Sequence, residues 1–394
     1  MFAFMPNEKQ DGFLSRTAKP IRALSLNATI AISLCLAGTA TPTLAQAVYP
    51  APGQRTGAGV LPPAVSSVTY PGDIIDPAYN YQRDLGFSGV VNGQIVWTFG
   101  DTLLGGALCS SDSTALGTLS IPGFVYDKDI RAGGYTNEWI PYTSSELANG
   151  GGSRYAEGGT NVVEYAPNKG LVWFLKNDRS SGVDNIQGAG VCTVTATASA
   201  GAKAARTMET MWNPFEPYWG DIGATYNPLD GYVYVFGHGP KSANLLSCVY
   251  LAKVPAAQAT NVGAYQYWDQ SAHAWTTRRF ANGQLGTINV SSAQAIFTNN
   301  SQGQSNAFWS NYYNCWMFVY GADVGYTDIM VRTAPSLQGP WTTGFTVAST
   351  CPNNSCSGIR YAICPHPEYD LSGKTLLVSW TDSNVIHAAK ITWR

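Results

Sequence analysis

The chain has 394 residues, a formal net charge of −2 and 12% charged side chains, a balance that offers no basic patch to nucleic acid. Its 41 glycines, 22 tyrosines and 12 tryptophans, with apolar runs rich in β-branched and aromatic residues, suit an all-β secreted protein more than a helical cytosolic one. No segment beyond the N-terminal region is long and apolar enough to serve as a membrane anchor.

Residues 1–47 read as a signal peptide. Lys9, Arg16, Lys19 and Arg22 supply the positive region, and Ala23 to Ala37 is mostly apolar but too short to cross a bilayer. Ala45-Gln46-Ala47 is a small-x-small site, with cleavage expected after Ala47. The product is therefore expected to be secreted and extracellular. Residues 48–66 are Pro/Gly-rich and read as a linker or an arm wrapping the domain, which is expected over 67–394.

Of eight cysteines, Cys35 leaves with the signal, so seven remain and at least one thiol lacks a partner within the chain. Cys351 and Cys356 form the easiest local disulfide, and Cys109 with Cys192 is a second expected pair. The spacings match no zinc site, and no metal or cofactor is expected. Asn289, Asn299 and Asn353 head glycosylation sequons, as surface loops of a secreted glycoprotein would.

The first hairpin is Tyr81 to Thr102, YQRDLGFSGVVNGQIVWTFGDT. Asn92-Gly93 between alternating apolar runs is a strong hairpin signal, because both turn residues need positive φ. The hairpin's open ends carry Asp84 and Asp101, which should be neighbours at one rim. Cys109 to Glu146 is expected to hold the outer strands of this unit and a long loop.

The pattern returns four times, at Arg154 to Asp178, Tyr218 to Gly239, Gly303 to Asp323 and Tyr361 to Asp382. Thr207 to Tyr218 (TMETMWNPFEPY) reads as an aromatic loop, since its two prolines preclude a long helix. Val385 to Trp393 ends the chain as a strand, leaving the last unit one strand short. Residues near Val65 to Tyr70 could complete it and remove an exposed edge. A supersecondary unit repeated five times predicts a five-bladed β-propeller.

Aligning the hairpins places Asp84, Glu157 and Asp221 at one position. The inner strands of all blades run along one axis, so these acids should converge on one funnel. Small neighbours (Gly86, Gly158, Gly159, Gly223) would let a ligand approach the backbone. Converging carboxylates, with no nucleophilic Ser or Cys signature, suit glycoside hydrolysis. One carboxyl protonates the leaving oxygen while the other attacks or activates water. Neighbouring hairpin ends favour a retaining enzyme, with Asp84 and Asp101 as the catalytic pair, whereas a cross-funnel pair such as Asp84 with Asp221 would favour inversion. Asp178, Asp323 and Asp382 share the Asp101 column, so a repeated structural Asp is the competing reading. Substrate contacts are expected from Glu157, Tyr155, Asp221, Trp219, His238 and His366. The remaining recurrent tryptophans read as core between blades.

RDLGFSGVVNGQIVWTFGDT, YWGDIGATYNPLDGYVYVFG, FVYGAD…DIMVRTAPSLQGPW and HPEYDLSGKTLLVSW resemble a secreted family of bacteria, phages and fungi linked to endo-D-arabinanases. More distantly they resemble the five-bladed furanosidase clans of arabinanases and β-xylosidases. The resemblance spans about residues 70 to 394, and its APSLQGPWT phrase speaks to fold more than to substrate. It implies a retaining furanoside hydrolase with Asp84 as acid/base and Asp101 as nucleophile. The chain departs from the bacterial pattern in its 103–150 loop and its cysteines.

These readings lead to a secreted propeller hydrolase acting on a polysaccharide, expected to work as a monomer. The rival is a carbohydrate-binding propeller without catalysis. A sialidase is disfavoured, since Ser-x-Asp-x-Gly-x-Thr-Trp boxes and an arginine triad are missing from the sequence.

Overall fold

Asn92 and Gly93 close the first hairpin with φ of 51° and 69°, the paired left-handed geometry that this dipeptide accommodates. The same logic recurs at Asn168, Gly231, Asn314 and Gly373, where the later hairpins turn with positive φ. In the computed structural model the described residues are 44–51, 63–120, 125–182, 185–298, 304–323, 326–354, 356 and 358–394. The expected signal region before residue 44, most of the Pro/Gly-rich arm and Asn299 lie outside them.

The hairpins seed five antiparallel sheets, the blades of a propeller. From the axis outward, blade 1 is Gln82–Val91, Gln94–Leu104, Ser113–Gly117 and Val125–Asp127. Blade 2 starts with Tyr155–Gly159 and Val163–Ala166, then runs Lys169–Asp178, Asn185–Thr197 and Gly201–Arg206. Blade 3 is Tyr218–Asn227, Tyr232–His238, Val249–Pro255, Gln266–Asp269 and Ala274–Thr276. Blade 4 is Asn306–Ser310, Cys315–Asp323, Tyr326–Ala334 and Phe345–Ser349. Blade 5 is Arg360–His366, Thr375–Asp382 and Val385–Trp393, completed by Val65–Asp73 from the other end of the chain. That closing strand pairs in register through Val68 and Ile391 and covers the edge that the sequence left open.

Each blade is apolar on both faces because it packs against two neighbours. Val96 meets Val172 between blades 1 and 2, and Trp173 and Val191 meet Val233 between blades 2 and 3. Phe236 and Phe318 stand 5.6 Å apart, ring to ring, between blades 3 and 4. Met317 meets Val378, and Trp97 meets Leu377 and Ile386, which closes the circle. Replacing any of the buried tryptophans by alanine would cost about 3–5 kcal/mol.

Two local readings are corrected. Thr143-Ser144-Ser145-Glu146, expected to be loop, is the capping box of a short helix, Ser144–Ala148. Cys351 and Cys356 are bonded, but Cys109 and Cys192 are both free. Cys192 points into the packed layer between blades 1 and 2, while Cys109 belongs to a short edge strand, Ala107–Ser110. No helix among the described residues is long and apolar enough to cross a membrane.

Candidate active site

The first hairpin does not run as a regular ladder to its rim. Arg83 pairs with Thr102, Leu85 with Phe99 and Phe87 with Thr98, with register shifts between these pairs. Such bulges re-aim side chains. Leu85 takes a φ of 70°, a left-handed conformation that costs a non-glycine residue roughly 1–2 kcal/mol. Gly100 follows Phe99, the partner of Leu85, and an added Cβ there would lie 2.2 Å from Asp84 Oδ1. The missing side chain is what gives the Asp84 carboxyl its place.

Asp84 and Asp101 line one cleft of about 250 Å³, together with Asp221, Tyr361, Arg179, Asn177 and Gln304. The hairpin rim therefore does bring the two expected catalytic acids together, and blade 3 adds the third. Tyr361 Oη donates to Asp84 Oδ2 at 3.0 Å. Oδ1 is shielded from solvent and makes no hydrogen bond there. Burial, and next the Asp101 charge, push the Asp84 carboxyl up to about 7, while Tyr361 and Arg179 pull the other way. Asp101 is one-third exposed (32%), and its Oδ1 accepts from Arg179 Nη1 at 2.8 Å. Asp221 accepts from the His238 backbone N–H at 3.0 Å and from His238 Nδ1 at 2.8 Å. His238 thus stands behind Asp221 and orients it.

Four expected contacts fall elsewhere. Glu157 sits in a regular part of its ladder, opposite Lys176, so alternation turns it away from the cleft that Ala156 and Gly158 line. It is fully buried beside Arg206 Nη1 at 3.1 Å, and burial raises its carboxyl to about 9. Tyr155, two residues earlier, shares that side and lies under the Lys176 ammonium. Trp219 is core, 5.2 Å from the Tyr267 ring. His366 is sealed between Ser88 Oγ and Ser379 Oγ and stacked on Trp97 at 4.3 Å. Burial lowers it to about 3, so it is neutral and structural. Of the Asp101 column, Asp178 is tied to Arg154 at 2.7 Å and Asp382 accepts from Ser383 Oγ at 2.9 Å.

Arg179, Tyr361 and Gly100 were not picked out from the sequence. Arg179 directly follows Asp178 at the end of the second hairpin, so its place at the same mouth was readable from the alignment. Tyr361 opens the fifth hairpin at the level of Asp84. Among the described residues no group of His, Cys, Asp and Glu could hold a metal ion.

Deeper along the same inner strands lies a small second cavity, lined by Ser88, Asn161, Asn306, Tyr49 and Glu368. Burial lifts Glu368 to about 7 there.

A family model described as "Domain of unknown function (DUF4185)" matches residues 193–388, a span that starts after Asp84 and Asp101. Comparison with curated proteins finds no match. A candidate hydrolase from Bacteroides ovatus ATCC 8483 is similar in structure, with a TM-score of 0.52 and 13% identity over 79% of this chain and 85% of that one. The exo-β-1,3-galactanase of Phanerochaete chrysosporium gives a TM-score of 0.48 and 10% identity over 83% of this chain and 64% of that one. The Bacillus subtilis arabinanase Arb43A gives 0.46 and 13% identity over 82% and 97%. The likeness to the Bacteroides protein is one of fold.

Proposed function

We propose that the chain is a secreted glycoside hydrolase that cleaves furanosidic linkages of an arabinan-type polysaccharide, D-arabinan included, by a retaining mechanism. The observation that carries this reading is the pair Asp84 and Asp101, side by side in one cleft and unlike in environment. Asp84 holds its proton to about pH 7, which suits an acid that must protonate a leaving oxygen near neutrality. Asp101 is one-third exposed in the same cleft and held by the Arg179 guanidinium, which fixes its carboxyl where a nucleophile must stand.

In the first step an Asp101 oxygen bonds to the anomeric carbon as the glycosidic C–O bond breaks. Asp84 passes its proton to the departing oxygen. In the second step Asp84 takes a proton from water, whose oxygen attacks the anomeric carbon and releases Asp101. Tyr361 and Arg179 hold the two carboxyls in place, and Asp221 faces the bound ring.

The test is reducing-sugar release from arabinan-type substrates by the wild type, Asp84→Asn and Asp101→Asn. Loss in both variants, with the anomeric configuration retained in the first product seen by NMR, supports the proposal. Full activity in both ends it. Sugar binding without product release, equal in all three proteins, would make the chain a binding module instead.

A further inference from the structure

We propose that the reaction cleft continues into a chain-binding groove over blades 2 and 3, which holds the distal units of a neutral glycan. The proposal rests on the hydrolase reading above and adds what lies beyond the bond that is cut.

A second concavity, about 830 Å³, shares Leu175, Asn177 and Gln304 with the cleft that contains Asp84 and Asp101. The two therefore adjoin along these three side chains. The cleft alone, about 250 Å³, falls below the ~300–1,000 Å³ usual for ligand sites, whereas the groove falls inside that range. A ligand confined to the cleft is small, and one that extends out of it enters the groove.

The groove's chemistry names the occupant. Beyond the shared residues it presents Asn185, Gln187, Phe215 and Leu246. Amide side chains donate and accept at once, which matches hydroxyl groups and selects for no charge. Lys241 is the one cation among the described lining residues, and those residues include no carboxylate. Phe215 is 42% exposed and Leu246 is 45% exposed, an apolar edge beside the amides. Polar amides flanked by an aromatic face suit a sugar chain, with its hydroxyl rim and its apolar ring faces.

Phe215 is displayed on a rigid mount. Its N–H donates to Asn213 Oδ1 at 2.9 Å and its carbonyl accepts from the Asn282 N–H at 2.8 Å. Glu216 accepts from the Asn213 N–H at 2.9 Å and from Arg279 Nε at 2.6 Å. Trp212 anchors the loop from below, buried and bonded to Tyr267 Oη at 3.1 Å. A loop backbone fixed by so many contacts presents the ring without a cost for ordering the loop. Packing does not explain it, since Trp212 supplies the loop's core contact.

The experiment compares Phe215→Ala, Phe215→Trp and wild type on a single-unit nitrophenyl arabinofuranoside and on arabino-oligosaccharides of two to about eight units. For Phe215→Ala we expect kcat/KM on the longer oligosaccharides to fall about tenfold, with the single-unit substrate unchanged within about twofold and Phe215→Trp near wild type. Equal loss on short and long substrates, or no loss on the long ones, overturns the groove. If the wild type turns over neither substrate, the hydrolase reading fails by itself. Calorimetric titration with the same oligosaccharides then decides the groove. Binding about tenfold weaker in Phe215→Ala supports it, and equal binding, or none by the wild type, overturns it.

Discussion

Asp84 and Glu157 occupy the same place in two successive hairpins, and the fold uses them in opposite ways. Asp84 stands on a bulged strand, is aimed into an open cleft and shares it with a second acid. Glu157 stands on an unbroken ladder, so it faces the packed interior. There Arg206 and Lys176 serve both it and Glu146, with the Lys176 and Arg206 bonds to Glu146 each 2.7 Å long. The first arrangement leaves charge available for chemistry. The second neutralises charge in order to tie the Ser144–Ala148 helix to blade 2. Residue type and spacing are alike, and a single step of strand register separates them.

The contrast breaks most visibly in activity. Asp101→Asn or Asp84→Asn should lower kcat/KM on a natural substrate by about 10²–10⁴-fold, the usual worth of such groups. A tenfold or smaller loss in both would place the two acids on a par with Glu157.

Next in size is the structural side. Arg206→Met strips a buried partner from Glu146, whose carboxyl is held down to about 2 by Lys176, the Thr143 N–H and Arg206 against its burial. Breaking such a pair costs about 3–5 kcal/mol, read in urea unfolding. Unchanged stability would mean the cluster is not structural.

Asp84 carries its own cost in stability. Folded, it keeps its proton to about pH 7; unfolded, it ionises near ~4. Between those values the folded state binds more protons, so stability falls as pH rises. Asp84→Asn removes that loss and should stabilise the fold by about 1–3 kcal/mol at pH 8, with the gain vanishing below pH ~4. Destabilisation at pH 8 would contradict the raised carboxyl.

A smaller effect sharpens the assignment of roles. The Tyr361 hydrogen bond lowers Asp84, so Tyr361→Phe should move the alkaline limb of the kcat/KM profile to higher pH. A limb that stays put or moves down would detach that limb from Asp84. Smallest of all, Glu157→Gln should leave activity within about twofold. It should also raise the melting temperature near pH 7, because Gln keeps the neutral shape of a carboxyl that burial already protonates.

Much of this protein was legible in its residues. Asn92-Gly93 and its counterparts marked the hairpins. Val65 to Tyr70 was the expected closing strand, and Trp97 and Trp173 were read as core between blades. The acids of the first hairpin were rightly expected to meet, since a tight turn forces its open ends together. Misread residues share one cause: Glu157, Tyr155, Trp219 and His366 were placed by alignment along the strand, which fixes height along the axis and leaves facing open.

The sequence by itself determined where the chain turns, how many blades it makes and how high each side chain sits on its strand, because these follow from local backbone preference and period-two burial. Only the tertiary structure decided which side chains reach the cleft. Bulges at Leu85 and Trp219–Gly223, a Cβ-free position at Gly100 and partners from the two flanking blades, Arg179 and Tyr361, set that choice, and none of them can be read from the acids they serve.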